Sequence, residues 1–383
     1  MNIPNLHPAL KVLDELSAAP PVGKPNLLGY APDELKAFVC EAGEKPFRAK
    51  QLYKALFNER ITELSEITTL SKGLRAALDE TFEITRPAID EVQISNDGTR
   101  KYRFVGVDGL AFEAVYIPEV AKGSRTNTLC VSSQTGCAVG CKFCFTASLR
   151  RNRNLAAAEI VGQVLAVQDD VCAESEDARV SNVVFMGMGE PLLNYDQVIR
   201  ACRILLDPDG CNFSSRRITI STSGIVPRIY DLGRELPTQL AISLNATTNE
   251  QRNRVMPINK KWPLEDLLEA LHAYPIPSRR RITIEYVMLK DVNDSPQDAR
   301  RLIKLLAGIP VKVNLLPLNA HDRTEFETPP WERVETFQSI LRKAGMTALH
   351  RTPRGEDIAA ACGQLGETVP LPTRPSTAAA SPA

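Results

Sequence analysis

The densest concentration of soft ligand atoms in the chain is Gly136-Cys137-Ala138-Val139-Gly140-Cys141-Lys142-Phe143-Cys144, a C-x3-C-x2-C run. Three thiolates this close in sequence can face one metal centre, and thiolates are the ligands that iron-sulfur clusters select. Gly136 and Gly140 let a loop wrap closely around a bulky group. A [4Fe-4S] cube held by three cysteines leaves one iron without a protein ligand, which opens a place for a substrate. A zinc centre is the alternative, and it would need a fourth ligand from Cys130, Cys172 or a histidine.

Other residues able to grip a small ligand follow at intervals. Met186-Gly187-Met188-Gly189-Glu190-Pro191 closes a β-like run, with glycines that expose backbone polar groups and with Glu190 able to accept from an ammonium. Ser221, then Ser243-Leu244-Asn245, then Asn319 lie at or just past further strand ends, where small polar groups suit ribose, carboxylate and adenine, although helix capping is the commoner use of Ser and Asn. Two cysteines stand apart from the cluster run: Cys130, inside a strand end, and Cys362, in Arg354-Gly355-Glu356-Asp357-Ile358-Ala359-Ala360-Ala361-Cys362. Cys40, Cys172, Cys202 and Cys211 read as apolar packing residues. His7, His272, His321 and His350 show no ligand spacing and read as structural. Basic clusters at Arg150-Arg151-Asn152-Arg153, Arg216-Arg217 and Arg279-Arg280-Arg281, with Lys45, Arg48, Lys50 and Lys54, are each ordinary for a solvated face but together suit phosphate contacts.

The elements that must position these residues are legible in the periodicity. Apolar residues recur at helical spacing through residues 31–43, 45–58 and 64–78, predicting a small helical module. Runs at 102–104 and 112–117 flank Asp108-Gly109, a hairpin signal. β-like runs at 128–132, 183–186, 218–221, 240–244, 282–287 and 311–315 then alternate with helical patterns. The expected fold class is α/β: a partial (β/α)6 barrel preceded by a hairpin and a helical domain. The corresponding division is a lead-in at 1–25, a helical module at 26–95, the barrel with its hairpin and C-terminal cysteine segment at 96–365, and a disordered tail at 366–383.

With 383 residues, 46 basic and 46 acidic side chains, the net charge is zero, so an RNA surface would have to be a local patch. Nine cysteines in a chain with no signal-like start argue for metal or thiol chemistry over a secreted disulfide framework. No stretch approaches the roughly 18 apolar residues of a membrane span, and a cytoplasmic protein without a membrane partner is expected.

The order Thr128-Leu129-Cys130, Gln134-Thr135-Gly136-Cys137, the cluster run, Asn152-Arg153-Asn154-Leu155, the GMGEP turn and the final AACGQL resembles the radical S-adenosylmethionine RNA methyltransferases, and most closely the RlmN family. That resemblance implies methylation of C2 of one adenosine in 23S rRNA and of adenosine 37, just 3′ of the anticodon, in tRNA. It implies that Cys137, Cys141 and Cys144 hold a [4Fe-4S] cluster, and that Gly189, Glu190, Ser221, Ser243, Leu244, Asn245 and Asn319 line S-adenosylmethionine. One cofactor molecule would methylate Cys362. A second would yield a 5′-deoxyadenosyl radical that takes hydrogen from the S-methyl group, and the carbon radical would add to adenine C2. This detour is needed because an amidine carbon is electrophilic and will not attack a sulfonium methyl. Glu113 would remove the C2 proton, and Cys130 would attack the Cys362 sulfur, releasing methylated RNA and leaving a disulfide. A one-electron donor such as flavodoxin and a thiol reductant are implied as partners, and the N-terminal helices resemble the family's RNA-docking module. Asn245 stands where the family often has histidine, which puts a side-chain contact there in question. The competing expectations are a C8-directed relative of the Cfr type and a non-catalytic zinc-containing RNA-binding protein.

Overall fold

The computed structural model describes residues 23–119, 126–149 and 152–366. Most of the lead-in, nearly all of the expected tail, His7, and Arg150 and Arg151 of the first basic cluster lie outside the described residues.

The N-terminal module comprises α1 (Pro32–Glu41), α2 (Phe47–Phe57) and α3 (Lys72–Thr81). Leu35, Val39, Leu52, Leu56, Leu74 and Leu78, spaced at three or four residues within each helix, are buried. Phe82 seals the bundle, with its ring 5.1 Å from Tyr30 and 4.8 Å from Phe38. The helix expected over 64–78 begins only at Lys72: Ser71 takes an extended conformation and its hydroxyl accepts from the Leu74 amide at 3.1 Å, an N-cap that interrupts the pattern. Much of the module's positive charge is engaged. Lys50 pairs with Asp209 at 2.9 Å, Lys54 with Glu59 at 3.6 Å and Arg48 with Glu44 at 3.9 Å.

The remainder is one ten-stranded sheet whose spatial order follows the sequence. Strands β1 (Ala88–Ile94), β2 (Arg100–Val105) and β3 (Ala111–Ile117) run antiparallel, and β3 pairs antiparallel with β4 (Thr128–Cys130). From β4 onward every pair is parallel: β5 (Asn182–Phe185), β6 (Ile218–Thr222), β7 (Gln239–Ser243), β8 (Ile282–Met288), β9 (Val311–Pro317) and β10 (Thr347–His350). Helices α4 (Ala157–Glu174), α5 (Tyr195–Leu206), α6 (Val226–Glu235), α7 (Asn249–Val255), α8 (Leu264–Ala273), α9 (Pro296–Leu305) and α10 (Trp331–Lys343) lie in the connections. The α/β partial barrel expected from the alternation is present, and the Asp108-Gly109 hairpin forms, with Gly109 at φ +76°. No described helix is long and apolar enough to cross a membrane.

Two strands extend beyond the expected set. β1 lies inside the segment 26–95 assigned to the helical module, yet it pairs with β2 through a register shift between Ile89 and Glu91. Its polar Asp90, Glu91 and Gln93 dilute the apolar alternation that marks a strand. β10 is four residues long with only Ala348 buried, and it forms because β9 offers an open edge.

The ladder is linear rather than closed. Side chains of the β1–β2 turn instead reach the segment that follows β10. Asp97 accepts from Arg354 Nε at 2.6 Å and from the Gly355 amide at 3.1 Å, while Asp357 accepts from the Ser95 hydroxyl at 2.5 Å and from the Asn96 amide at 3.1 Å.

Candidate active site

Because β4 to β9 run parallel, their C-terminal ends gather at one mouth, the position where barrels of this kind carry chemistry. After β4 the chain runs Val131 to Gln134 against the GMGEP turn. The Gly187 amide donates to Val131 O at 3.1 Å, the Met188 amide to Ser132 Oγ at 2.8 Å, the Ser133 amide to Met188 O at 2.9 Å and the Glu190 amide to Gln134 Oε1 at 2.8 Å. This contact explains Gly189: its φ is +102°, and an added Cβ would lie 2.6 Å from the Gln134 side chain. The turn's glycines therefore serve the close approach of a neighbouring chain.

That stitched segment feeds the cysteine loop. Gly140 takes φ +74°, the Cys144 amide donates to Cys141 O at 3.1 Å, and the Lys142 amide donates to Val255 O at 3.0 Å. The loop is fixed from the opposite side by His321, whose Nε2 lies 3.1 Å from Phe143 O, a structural use as expected.

One pocket is lined by Cys137, Cys141 and Cys144 together with Gly189, Glu190, Ser221, Ser243, Asn245, Asn319 and Cys362. Ten of the thirteen sequence-derived site residues thus share one cavity. Leu244 is fully buried behind it. Cys130 lines an adjoining pocket whose wall is shared with the first and also includes Cys362. Glu113 lines neither. Its carboxylate, buried beneath the C-terminal segment, accepts from the Gly366 amide at 2.8 Å.

Cys362 reaches this cavity through backbone contacts that no sequence pattern announces. The Phe145 amide donates to Gly363 O at 2.7 Å, Asn319 Nδ2 to Cys362 O at 2.9 Å, and Thr146 Oγ1 to Leu365 O at 2.8 Å. Cys362 itself is exposed, whereas Cys130 is half-buried.

The donor set fits a thiolate-held cluster. Among the described residues no three His, Cys, Asp or Glu side chains converge on one ion-sized centre. The three thiols instead ring a larger cavity, which suits a polynuclear cluster better than tetrahedral zinc. Burial pushes the Cys137 thiol up to about 12 and raises Cys141 and Cys144 as well, so a bound cation would be needed to hold these side chains as thiolates. The cavity wall also carries buried polar atoms without a protein partner: Ser223 Oγ, Glu285 Oε2 and Asn319 Oδ1. Such atoms await a ligand offering ammonium, hydroxyl or amino hydrogens, which matches S-adenosylmethionine.

Several functional positions escape sequence reasoning. Glu285 sits within an apolar β8 run; burial raises its carboxyl, while Arg351 and an Asn314 hydrogen bond of 2.9 Å favour its charged form. Arg252, in a helix that reads as solvent-exposed, is fully buried and donates to Leu244 O at 3.0 Å, Asn259 Oδ1 at 3.1 Å, Ser243 O at 3.3 Å and Ser223 O, fastening the ends of β6 and β7 beside the pocket. Desolvation pulls its guanidinium down to about 10. Asn245 answers the question its departure raises. It adopts φ +58°, a conformation Asn tolerates better than most residues, and its Oδ1 accepts from the Val287 amide at 2.7 Å. Its carbonyl accepts from Asn293 Nδ2 at 2.8 Å, so the side chain ties the ends of β7 and β8.

Comparison with known proteins converges on one family. Residues 131–303 match the radical SAM superfamily model, and residues 25–84 match the ribosomal RNA large subunit methyltransferase N-terminal domain. The dual-specificity RNA methyltransferase RlmN of Geobacter sulfurreducens is 49% identical over 89% of this chain and 91% of its own length. That of Rhodospirillum rubrum is 50% identical, covering 89% and 80%. The crystal structure of a radical SAM methyltransferase from Sphaerobacter thermophilus superposes with a TM-score of 0.82 at 39% identity, covering 89% of this chain and 99% of that one. Relatives this similar over nearly their whole length leave no room for a different assignment: the chain belongs to the RlmN family of radical SAM RNA methyltransferases.

Proposed function

We propose that this protein methylates C2 of an adenosine in 23S rRNA and of adenosine 37 in tRNA, with Cys362 as the carbon carrier. The observation that carries this reading is the position of Cys362, which lies in the wall common to the three-cysteine pocket and the pocket lined by Cys130.

Cys137, Cys141 and Cys144 would hold a [4Fe-4S] cluster, and Glu190, Ser221, Ser243, Asn245 and Asn319, with the newly found Ser223 and Glu285, would hold S-adenosylmethionine. When bound, cluster and cofactor supply the methyl group and the hydrogen-abstracting radical. Cys362 Sγ receives the carbon and presents it to the adenine. Arg351 lines both pockets and favours the thiolate at Cys130 and Cys362, and at half-buried Cys130 it opposes the burial that pushes the thiol up to about 12. Glu113 accepts the C2 proton; burial raises its carboxyl, which strengthens it as a base. Cys130 Sγ then attacks Cys362 Sγ, forming a disulfide as the methylated RNA leaves, and a thiol reductant resets the pair. The 26–95 module, reaching into β1, would dock the RNA, with a one-electron donor such as flavodoxin supplying reductant in the cytoplasm.

The test is mass spectrometry of nucleosides from RNA of a strain lacking this protein, treated with anaerobically reconstituted enzyme, reductant and S-adenosylmethionine. New 2-methyladenosine is expected. New 8-methyladenosine would move the assignment to the C8-directed relative.

A further inference from the structure

The opposite mouth of the barrel is also built as a cavity, and its composition is unlike the first. Arg216 and Arg217 precede β6, Arg279, Arg280 and Arg281 precede β8, and Lys312 is the second residue of β9; all six line one hollow at the N-terminal ends of the parallel strands. Its floor is neutral, made of Thr219, Gln239, Thr283 and Val184, the last of which also lines the Cys130 pocket. Thr219 lies opposite Gln239 in the β6–β7 register, and Thr283 lies opposite Lys312 in the β8–β9 register. Among the described residues, no Asp, Glu or aromatic residue lines it. Thr283 lines this hollow while Glu285, two residues further along β8, lines the cysteine pocket, so the two cavities are about 7 Å apart along the strand.

Three of the six cations have structural work. Arg217 donates to Asn182 Oδ1 at 2.9 Å, Arg280 to Ser215 Oγ at 2.8 Å and Arg281 to Thr347 Oγ1 at 2.6 Å. All of those acceptors are neutral, and none of the six cations takes part in a salt bridge among the described residues, Lys312 alone acting on the buried carboxyl of Glu285. This contrasts with Arg153 of the first basic cluster, which is joined to Asp108 and Glu159. Holding six like charges in one concave space raises a local positive potential that an anion of several charges relieves. Arginine forks match phosphate oxygens, and among the described residues no aromatic ring lines the hollow to stack a base.

We infer that this hollow is a binding site for a compact oligophosphate, recognised by its phosphates alone and separate from the methylation site. RNA backbone phosphate is the other source of the same chemistry. The free ligand is favoured because the cavity opens at the barrel end away from Cys362, so an RNA presenting its adenine to Cys362 would have to pass around the barrel to reach it.

The probe is inorganic tripolyphosphate, titrated calorimetrically into the reconstituted full-length protein with ionic strength held constant by chloride. The variant is Arg216→Gln/Arg279→Gln/Lys312→Gln, which spares the three arginines that hold loops. Saturable one-to-one binding by the wild type is expected, weakened about tenfold or more in the variant, with formation of 2-methyladenosine and affinity for substrate RNA unchanged. Should the triple variant fail to fold, Lys312→Gln alone is expected to weaken tripolyphosphate binding several-fold. Wild-type heats no larger than those of dilution, or equal binding by a folded variant, would overturn the inference. A parallel loss of RNA affinity would overturn it too, by assigning the hollow to the RNA backbone.

Discussion

The amide of Phe145 donates to the carbonyl of Gly363 at 2.7 Å, joining the residue after Cys144 to the residue after Cys362. The two reactive loops are therefore fastened by backbone, and side-chain substitution at either cysteine leaves the fastening in place. Cys362→Ala is expected to retain the brown cluster absorbance and S-adenosylmethionine binding while forming no detectable 2-methyladenosine. Cys130→Ala is expected to accept the carbon and stall, leaving protein covalently joined to RNA on a denaturing gel. Normal turnover by Cys130→Ala would show that the adjoining pocket has no part in release.

Gly189→Ala tests the stitched turn. The substitution imposes a side chain on φ +102° and a clash with Gln134, and should cost about 1–3 kcal/mol. A lowered melting temperature together with weaker S-adenosylmethionine binding is expected, since Glu190 follows directly. An unchanged melt would mean that the 131–134 segment yields easily.

Glu113 gives a pH dependence. Burial raises its carboxyl, so the folded state holds the proton more tightly than the unfolded state does. The stability tied to this proton is fully present below the ordinary Glu range and is lost as pH rises through the raised value. Glu113→Gln keeps the shape without the ionisation. Its melting temperature should gain on the wild type as pH rises past the ordinary Glu range, while product release slows at every pH. A constant difference between the two melting temperatures across pH would contradict the buried, proton-holding carboxyl.

Asp97 and Asp357 form the tether between the β1–β2 turn and the C-terminal segment. Replacing both with Ala should expose residues 351–362 to limited proteolysis. Reductive cleavage of S-adenosylmethionine should continue while RNA methylation falls, because the cluster pocket stays whole and only Cys362 is misplaced. If both activities fell together, the tether would be supporting the whole mouth.

What was readable in the sequence followed from short-range chemistry. Cys137, Cys141 and Cys144 announce themselves by spacing, and Gly189-Glu190 by composition, because both act within a single loop. Glu285 and Arg252 were invisible for the opposite reason: one sits in an apolar strand and the other on a charged helix, and only tertiary packing turns them into a pocket wall and a buried clamp. The strand β1 was hidden because its partner β2 supplies the order that its own polar residues obscure. That Cys130 and Cys362 would share a pocket wall was available only through resemblance.

The hydrogen bond from Thr146 to Leu365 spans 219 residues of chain. During synthesis the cysteine loop is complete while every later barrel strand and the Cys362 segment are still to come, so this contact is among the last the polypeptide can make. A nascent or truncated chain can therefore hold Cys137, Cys141 and Cys144 and still lack the wall that Cys362 adds to their pocket. On the proposed mechanism, methyl transfer becomes a property of the finished protein alone.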